Sequence, residues 1–399
     1  IGHTLGLPHN YIASAQGRAS VMDYPHPMMS IRGNGTLDWS NAYDDDIGEW
    51  DKVAIEYAYR DLPDGADEAM ELENILRQAW KRGLWFITDQ DARPLGSAHP
   101  QAHLWDNGKN AIAQLNHLMK VRSIAMANFG EANIRNGAPY ATLEEALVPL
   151  YLHHRYQLEA AAKVIAGLNF RYALRGDGQP IVNIVNASDQ RRALESLLST
   201  ITPEALAIPE NILDFLPPRA FGYPRTRETF NAHTGVAFDP LAAAETAAGL
   251  TLKTILHAER AARLVEHHAR DPKYPSLSEV MDTVLDGTWY SERSGRYHGE
   301  IQKVVDAVTL YYLMALAADD RATDHVRAVA HLKLSQLGEW LETQSRRQKD
   351  EVLLAHYRYA LNRIERFQKN PSSVTMPEPV DPPAGSPIGM GGSDWCGWN

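Results

Sequence analysis

Apolar residues recur at helical spacing over most of the chain. Across residues 110–129, Leu115, Leu118, Met119, Ala125, Met126 and Phe129 form a one-sided stripe that predicts an amphipathic helix. Thr142 and Glu145 have the spacing of a capping box, opening a helical segment to about Gly167 that Pro149 kinks or delays. Thr202 before Pro203 reads as an N-cap with proline at the first helical position. Residues 242–268 read as one long helix, and Ser276 with Glu279 as a second capping box ahead of Val280, Met281, Val284 and Leu285. Further helices are expected over 301–318, around Val326 to Leu341, and over 351–367. Strand signals are sparse. The best is 179–185, which can pair with Tyr172 and Leu174 across the turn-like residues 176–178. The expected fold is mainly α, with at most a small β-hairpin.

The composition is that of an ordinary globular chain, 44% hydrophobic and 22% charged over 399 residues. With 39 basic against 50 acidic side chains the net charge is -11, which argues against nucleic acid as the main partner. The only cysteine is Cys396, which excludes an intrachain disulfide, a Cys-based structural zinc site and an iron–sulfur cluster. No uncharged apolar run reaches the ~18 to 20 residues of a membrane span. From residue 370 onward the sequence is rich in Pro, Gly and Ser and reads as an extended tail.

The candidate chemistry stands at the start of the chain. His3, Gly6 and His9 follow the pattern H-x-x-G-x-x-H. A metal-binding histidine on a helix pairs with another one turn away on the same face, and the helix must then stop for a later histidine to return to the metal. Gly6 suits that stop because glycine adopts the left-handed cap cheaply, and Pro8 prevents the helix from resuming. Three imidazoles with an open fourth position are the mark of a catalytic zinc site. Met22 follows thirteen residues after His9, between Ser20 and Tyr24.

In order and spacing these residues resemble the metzincins, zinc peptidases whose motif H-E-x-x-H-x-x-G-x-x-H is followed by a Met-turn. The resemblance implies that His3 and His9 are the second and third zinc ligands, and that Met22 forms the apolar floor beneath the metal. It implies that Tyr24 ligates zinc or stabilises the oxyanion. The first His and the Glu base of the motif would stand directly ahead of Ile1. The chain is therefore expected to begin inside the motif, to bind zinc weakly, and to lack peptidase activity by itself. Residues 47–59, 88–108, 148–156 and 172–177 also resemble a family of large bacterial zinc-dependent metalloproteases, with 47–59 resembling the helix that follows the Met-turn. That likeness implies a protein or peptide substrate, export from the cell, and a large helical C-terminal region. Along the chain it divides as 1–88, the C-terminal half of a metzincin-like catalytic domain, then helical regions 89–200 and 201–369, then a tail 370–399.

Asp89 and Asp91, with His99 and His103, form the densest polar cluster beyond the Met-turn. Near a cleft they would orient zinc ligands, bind substrate or hold a second cation. Read structurally, they are a loop held by its own turn hydrogen bonds, and His103 could also be a ligand in its own right. His153, His154 and Arg155 read as packing or surface residues on a helix. His267 and His268 read as a favourable charge at a helix end, and Trp289, Tyr290, Trp395 and Trp398 as packing anchors. Two other functions fit the same features: a helical scaffold carrying a vestigial zinc motif, and a zinc amidase acting on cell-wall peptides.

Overall fold

Capping side chains start many of the helices. In the computed structural model, which describes residues 1–293, 295–371 and 378–384, Asp67, Thr202, Asp239, Thr323 and Asp350 each accept a backbone N–H from the first turn of the helix that follows. The fold is mainly α, with two small two-stranded sheets among the described residues. The expected helices form at Glu49–Tyr59, Ala111–Ala127, Leu277–Gly287, Arg296–Ala318, Asp324–Arg347 and Glu351–Lys369. Glu68–Lys81 and Ala187–Ser199 are helices outside the expected set.

Three expectations are corrected. Thr142 does not cap. Its backbone is already helical and its hydroxyl donates to the Pro139 carbonyl at 2.7 Å, so a 3-10 turn leads into the helix Leu143–Tyr151 instead. That helix holds Pro149 near its end, and the chain breaks over 152–154 before Arg155–Ala162. The long helix 242–268 is two helices, Pro240–Ile255 and Ala258–Arg270. No glycine or proline stands at the break, so tertiary packing sets it. The strand Val182–Ile184 pairs antiparallel with Leu168–Phe170, not with Tyr172 and Leu174. The cause is local: Asp177 accepts the N–H groups of Leu174 and Gln179, closing the tip on itself before the ladder can extend. The other sheet, Ser30–Ile31 with Leu37–Asp38, closes over Gly35 at φ +83° and is too short to show a period.

The chain forms two compact units, each discontinuous in sequence. One comprises Ile1–Val121, His154–Leu197 and Glu259–Ser276. It contains two apolar clusters. Tyr11, Ile12, Ile87, Ala92 and Leu104 form one, and Ala19, Trp50, Val53, Ile75 and Leu84 the other. The second unit comprises Arg122–His153, Leu198–Ala258 and the described residues from Leu277 onward. Its helices Pro240–Ile255, Asp324–Arg347 and Glu351–Lys369 all pack on Arg296–Ala318. Arg296–Ala318 is long and apolar enough to cross a membrane by length and composition, yet 61% of its apolar 18-residue window is buried inside the protein. Trp395, Cys396 and Trp398 lie outside the described residues.

Candidate metal centre

The first turn behaves as its sequence demands. His3–Leu5 is a single 3-10 turn, ended by Gly6 in the left-handed conformation at φ 76°, ψ 11°, its N–H returned to the His3 carbonyl. The reversal brings His9 back onto His3, with Nε2 of one 3.1 Å from Nε2 of the other. Both Nδ1 atoms face acceptors. His3 Nδ1 lies 3.1 Å from the Leu7 carbonyl, and His9 Nδ1 lies 2.8 and 3.0 Å from the two oxygens of Asp89. Each Nδ1 therefore carries the hydrogen, as its partner requires, and each Nε2 turns its lone pair toward the other. Two lone pairs at this distance repel unless a proton or metal ion lies between them. At Zn–N bonds of about 2.0–2.1 Å, two corners of a tetrahedron stand roughly 3.3 Å apart, close to the observed spacing. The Tyr24 hydroxyl lies 3.3 Å from His3 Nε2. Tyr24 is in the left-handed region at φ 55°, a conformation that costs a non-glycine residue energy and is concentrated at functional sites.

Each of these side chains is held from behind. His9 is 3% exposed and lies between the rings of Tyr11 and Tyr24, both at 5.0 Å. Arg93 pairs with Asp89 and donates to the Tyr11 hydroxyl at 2.7 Å. Burial alone would raise the Asp89 carboxyl, but the hydrogen bonds from His9 and Arg93 outweigh it and hold it well below the usual carboxylate range. Asn10 is fully buried. It donates to the Trp85 carbonyl and accepts from Ile87 N–H, while its own N–H reaches the Met22 carbonyl. Met22 is buried against Gly2, where a Cβ would stand 2.2 Å from its sulfur. Asp51 accepts from the Ser20 hydroxyl at 2.5 Å, Val21 N–H at 2.9 Å and Gly48 N–H at 2.7 Å, which fastens the Met-turn to the helix Glu49–Tyr59.

A family model described as Met-zincin matches residues 1–295. The chain belongs to the Met-zincin family. No curated protein and no solved structure matches it. A Met-zincin is of zinc metallopeptidase type, and the convergent imidazoles and phenol at His3, His9 and Tyr24 are a donor set suited to that metal. Among the described residues no three His, Cys, Asp or Glu side chains gather at one point, so His3 and His9 would need further donors to hold a metal.

The structure of this Met-zincin brings His3, His9, Met22, Tyr24 and Asp89 together and places the other candidates elsewhere in the same unit. Asp91 accepts the Tyr172 hydroxyl at 2.5 Å. His99 bridges the Phe170 carbonyl and Gln101 N–H, and burial with the Arg171 charge lowers it to about 3. His103 is buried beside Lys163, and burial pushes it well below the ordinary histidine value. Of these, Asp91 and His99 fasten the hairpin to the loop that carries Asp89. Sequence reasoning misses Gly2, Asn10, Asp51 and Arg93, whose roles are set by partners far along the chain. For Asp51 a signal exists, since it stands three residues after Gly48 at the start of a helix.

Proposed function

We propose that this site hydrolyses peptide bonds with a metal-activated water. The observation that carries the reading is the pair of Nε2 atoms at 3.1 Å, each with its Nδ1 committed to an acceptor. Zinc bound there would act as a Lewis acid and lower the pKa of a bound water. Asp89 holds the His9 ring in the tautomer and orientation a ligand needs. Tyr24, 39% exposed, offers its hydroxyl to a developing oxyanion on the substrate. In the family motif the general base and a third imidazole are the Glu and His three and four residues ahead of the position that His3 occupies. The test is zinc content and casein cleavage by a chain that includes those two residues. Stoichiometric zinc and cleavage lost in His9→Ala are expected, with no turnover by the chain starting at Ile1. Full cleavage with His3 and His9 both replaced would overturn the reading.

A further inference from the structure

Within the second unit, residues 378–384, with the sequence Glu-Pro-Val-Asp-Pro-Pro-Ala, lie against the helices Pro240–Ile255 and Arg296–Ala318. Val380 N–H donates to a carboxylate oxygen of Glu245 at 3.2 Å. One turn further along the same helix face, Gly249 lies under Pro379. A Cβ there would stand 3.5 Å from Pro379 Cβ and 3.8 Å from the Tyr312 hydroxyl. Tyr312 and its neighbour Tyr311 meet edge to face, with ring centroids 5.0 Å apart. Burial raises the Tyr311 hydroxyl, and the Glu378 carboxylate bonded to it raises it further. Pro383 is buried and Pro379 and Val380 are half-buried, while Glu378, Asp381, Pro382 and Ala384 are exposed. Neither helix carries a residue of the histidine site.

These contacts have the chemistry by which extended proline-rich segments are held. Pro379, Pro382 and Pro383 fix φ and favour the polyproline II form, which has three residues per turn and no hydrogen bonds of its own. Val380 and Pro383 are three apart, fall on one face of such a turn, and both point inward. The backbone N–H that this form leaves open goes to Glu245. Gly249 is the only glycine in a helix otherwise rich in Ala and Leu, and it weakens that helix relative to alanine. What it gives in return is space, since a side chain longer than Cβ would take the place of Pro379. Paired tyrosines and a glycine slot form the kind of aromatic-lined groove that accepts a preformed polyproline segment. We propose that this groove is a receptor for proline-rich extended segments: residues 378–384 fill it as a tethered ligand, and a proline-rich segment of a partner protein displaces them. A tether presents its ligand at an effective concentration of about a millimolar. The groove therefore stays closed to weak competitors and opens to a partner whose segment binds more tightly or is repeated.

The test uses the whole chain and a fluorescein-labelled peptide, Glu-Pro-Val-Asp-Pro-Pro-Ala, read by anisotropy. Pro379→Gly, Val380→Gly and Pro383→Gly together release the tethered segment without altering either helix. The released variant should bind the peptide roughly tenfold or more tightly than the wild type, where the tether competes. Gly249→Leu in the released variant should abolish binding, and Glu245→Ala should weaken it several-fold. A peptide with its prolines replaced by alanine should bind neither protein. In the wild type, which needs no substitution, an excess of unlabelled peptide should speed amide hydrogen exchange over 378–384. The proposal fails if the released variant, its helical circular dichroism unchanged, binds no better than the wild type. It fails if Gly249→Leu leaves the affinity intact, the peptide then lying elsewhere on the surface, or if exchange over 378–384 does not move. Concentration-dependent dimerisation of the wild type that the three glycines abolish would overturn it in favour of a second copy as the occupant.

Discussion

A ligand histidine is only as good as the group behind it. Under the proposed function His9 keeps one nitrogen for a metal because Asp89 takes the hydrogen of the other, and Asp89 is itself fixed by Arg93. Asp89→Asn keeps the shape and removes the charge, so the ring loses its reason to choose that tautomer. We expect zinc affinity to fall roughly 10- to 100-fold, read by competition against a chelator, with the fold unchanged. At this scale the sequence is most readable where chemistry demands a spacing. His3, Gly6, His9 and Met22 stand out because a metal, a chain reversal and an apolar floor each require one residue type at one interval. Asn10 and Gly2 do not stand out. Asn10 matters because the chain at 85–87 passes beside it, and Gly2 because the Met22 sulfur lies where a Cβ would be.

At the scale of elements, the Met-turn is held by its junction with the helix Glu49–Tyr59 more than by its own turn. Asp51 satisfies three donors there, and Trp50 N–H reaches the Ala19 carbonyl at 2.8 Å. Gly48 sits so close that a Cβ would stand 2.0 Å from the Ala19 carbonyl oxygen. Asp51→Ala strands the Ser20 hydroxyl and two backbone N–H groups, and should cost at least about 2 kcal/mol in urea unfolding. Gly48→Ala should cost a similar amount or more, since backbone rather than a flexible side chain must give way. Equal stability in both variants would show that the junction is not what holds the turn. Periodicity reveals helices such as Leu277–Gly287 and Asp324–Arg347 because each buries one face. It does not reveal the break after Ile255, where the residues are good helix formers, nor the strand partner of Val182–Ile184, which the loop tip around Asp177 decides.

Across the whole molecule, the buried ionisable groups set how stability responds to pH. Lys163 is fully buried, and desolvation brings it down to about 7 against an unfolded value of roughly 10.4. Between those values the unfolded chain holds a proton that the folded chain does not, so this group makes stability rise with pH from about 7 upward. The rise ends near pH 10. Burial pushes Tyr172 and Tyr290 up to about 12, so above roughly 10 the folded chain keeps protons that the unfolded tyrosines release, and stability falls again. Lys163→Met removes the first limb and keeps the second. Urea midpoints measured at pH 7 and pH 9 should climb in the wild type and stay level or fall in the variant, where the lost ammonium leaves Asp106 still harder to ionise. An unchanged climb in Lys163→Met would mean that the lysine stays charged in the folded protein, held by Asp106 more strongly than burial opposes it.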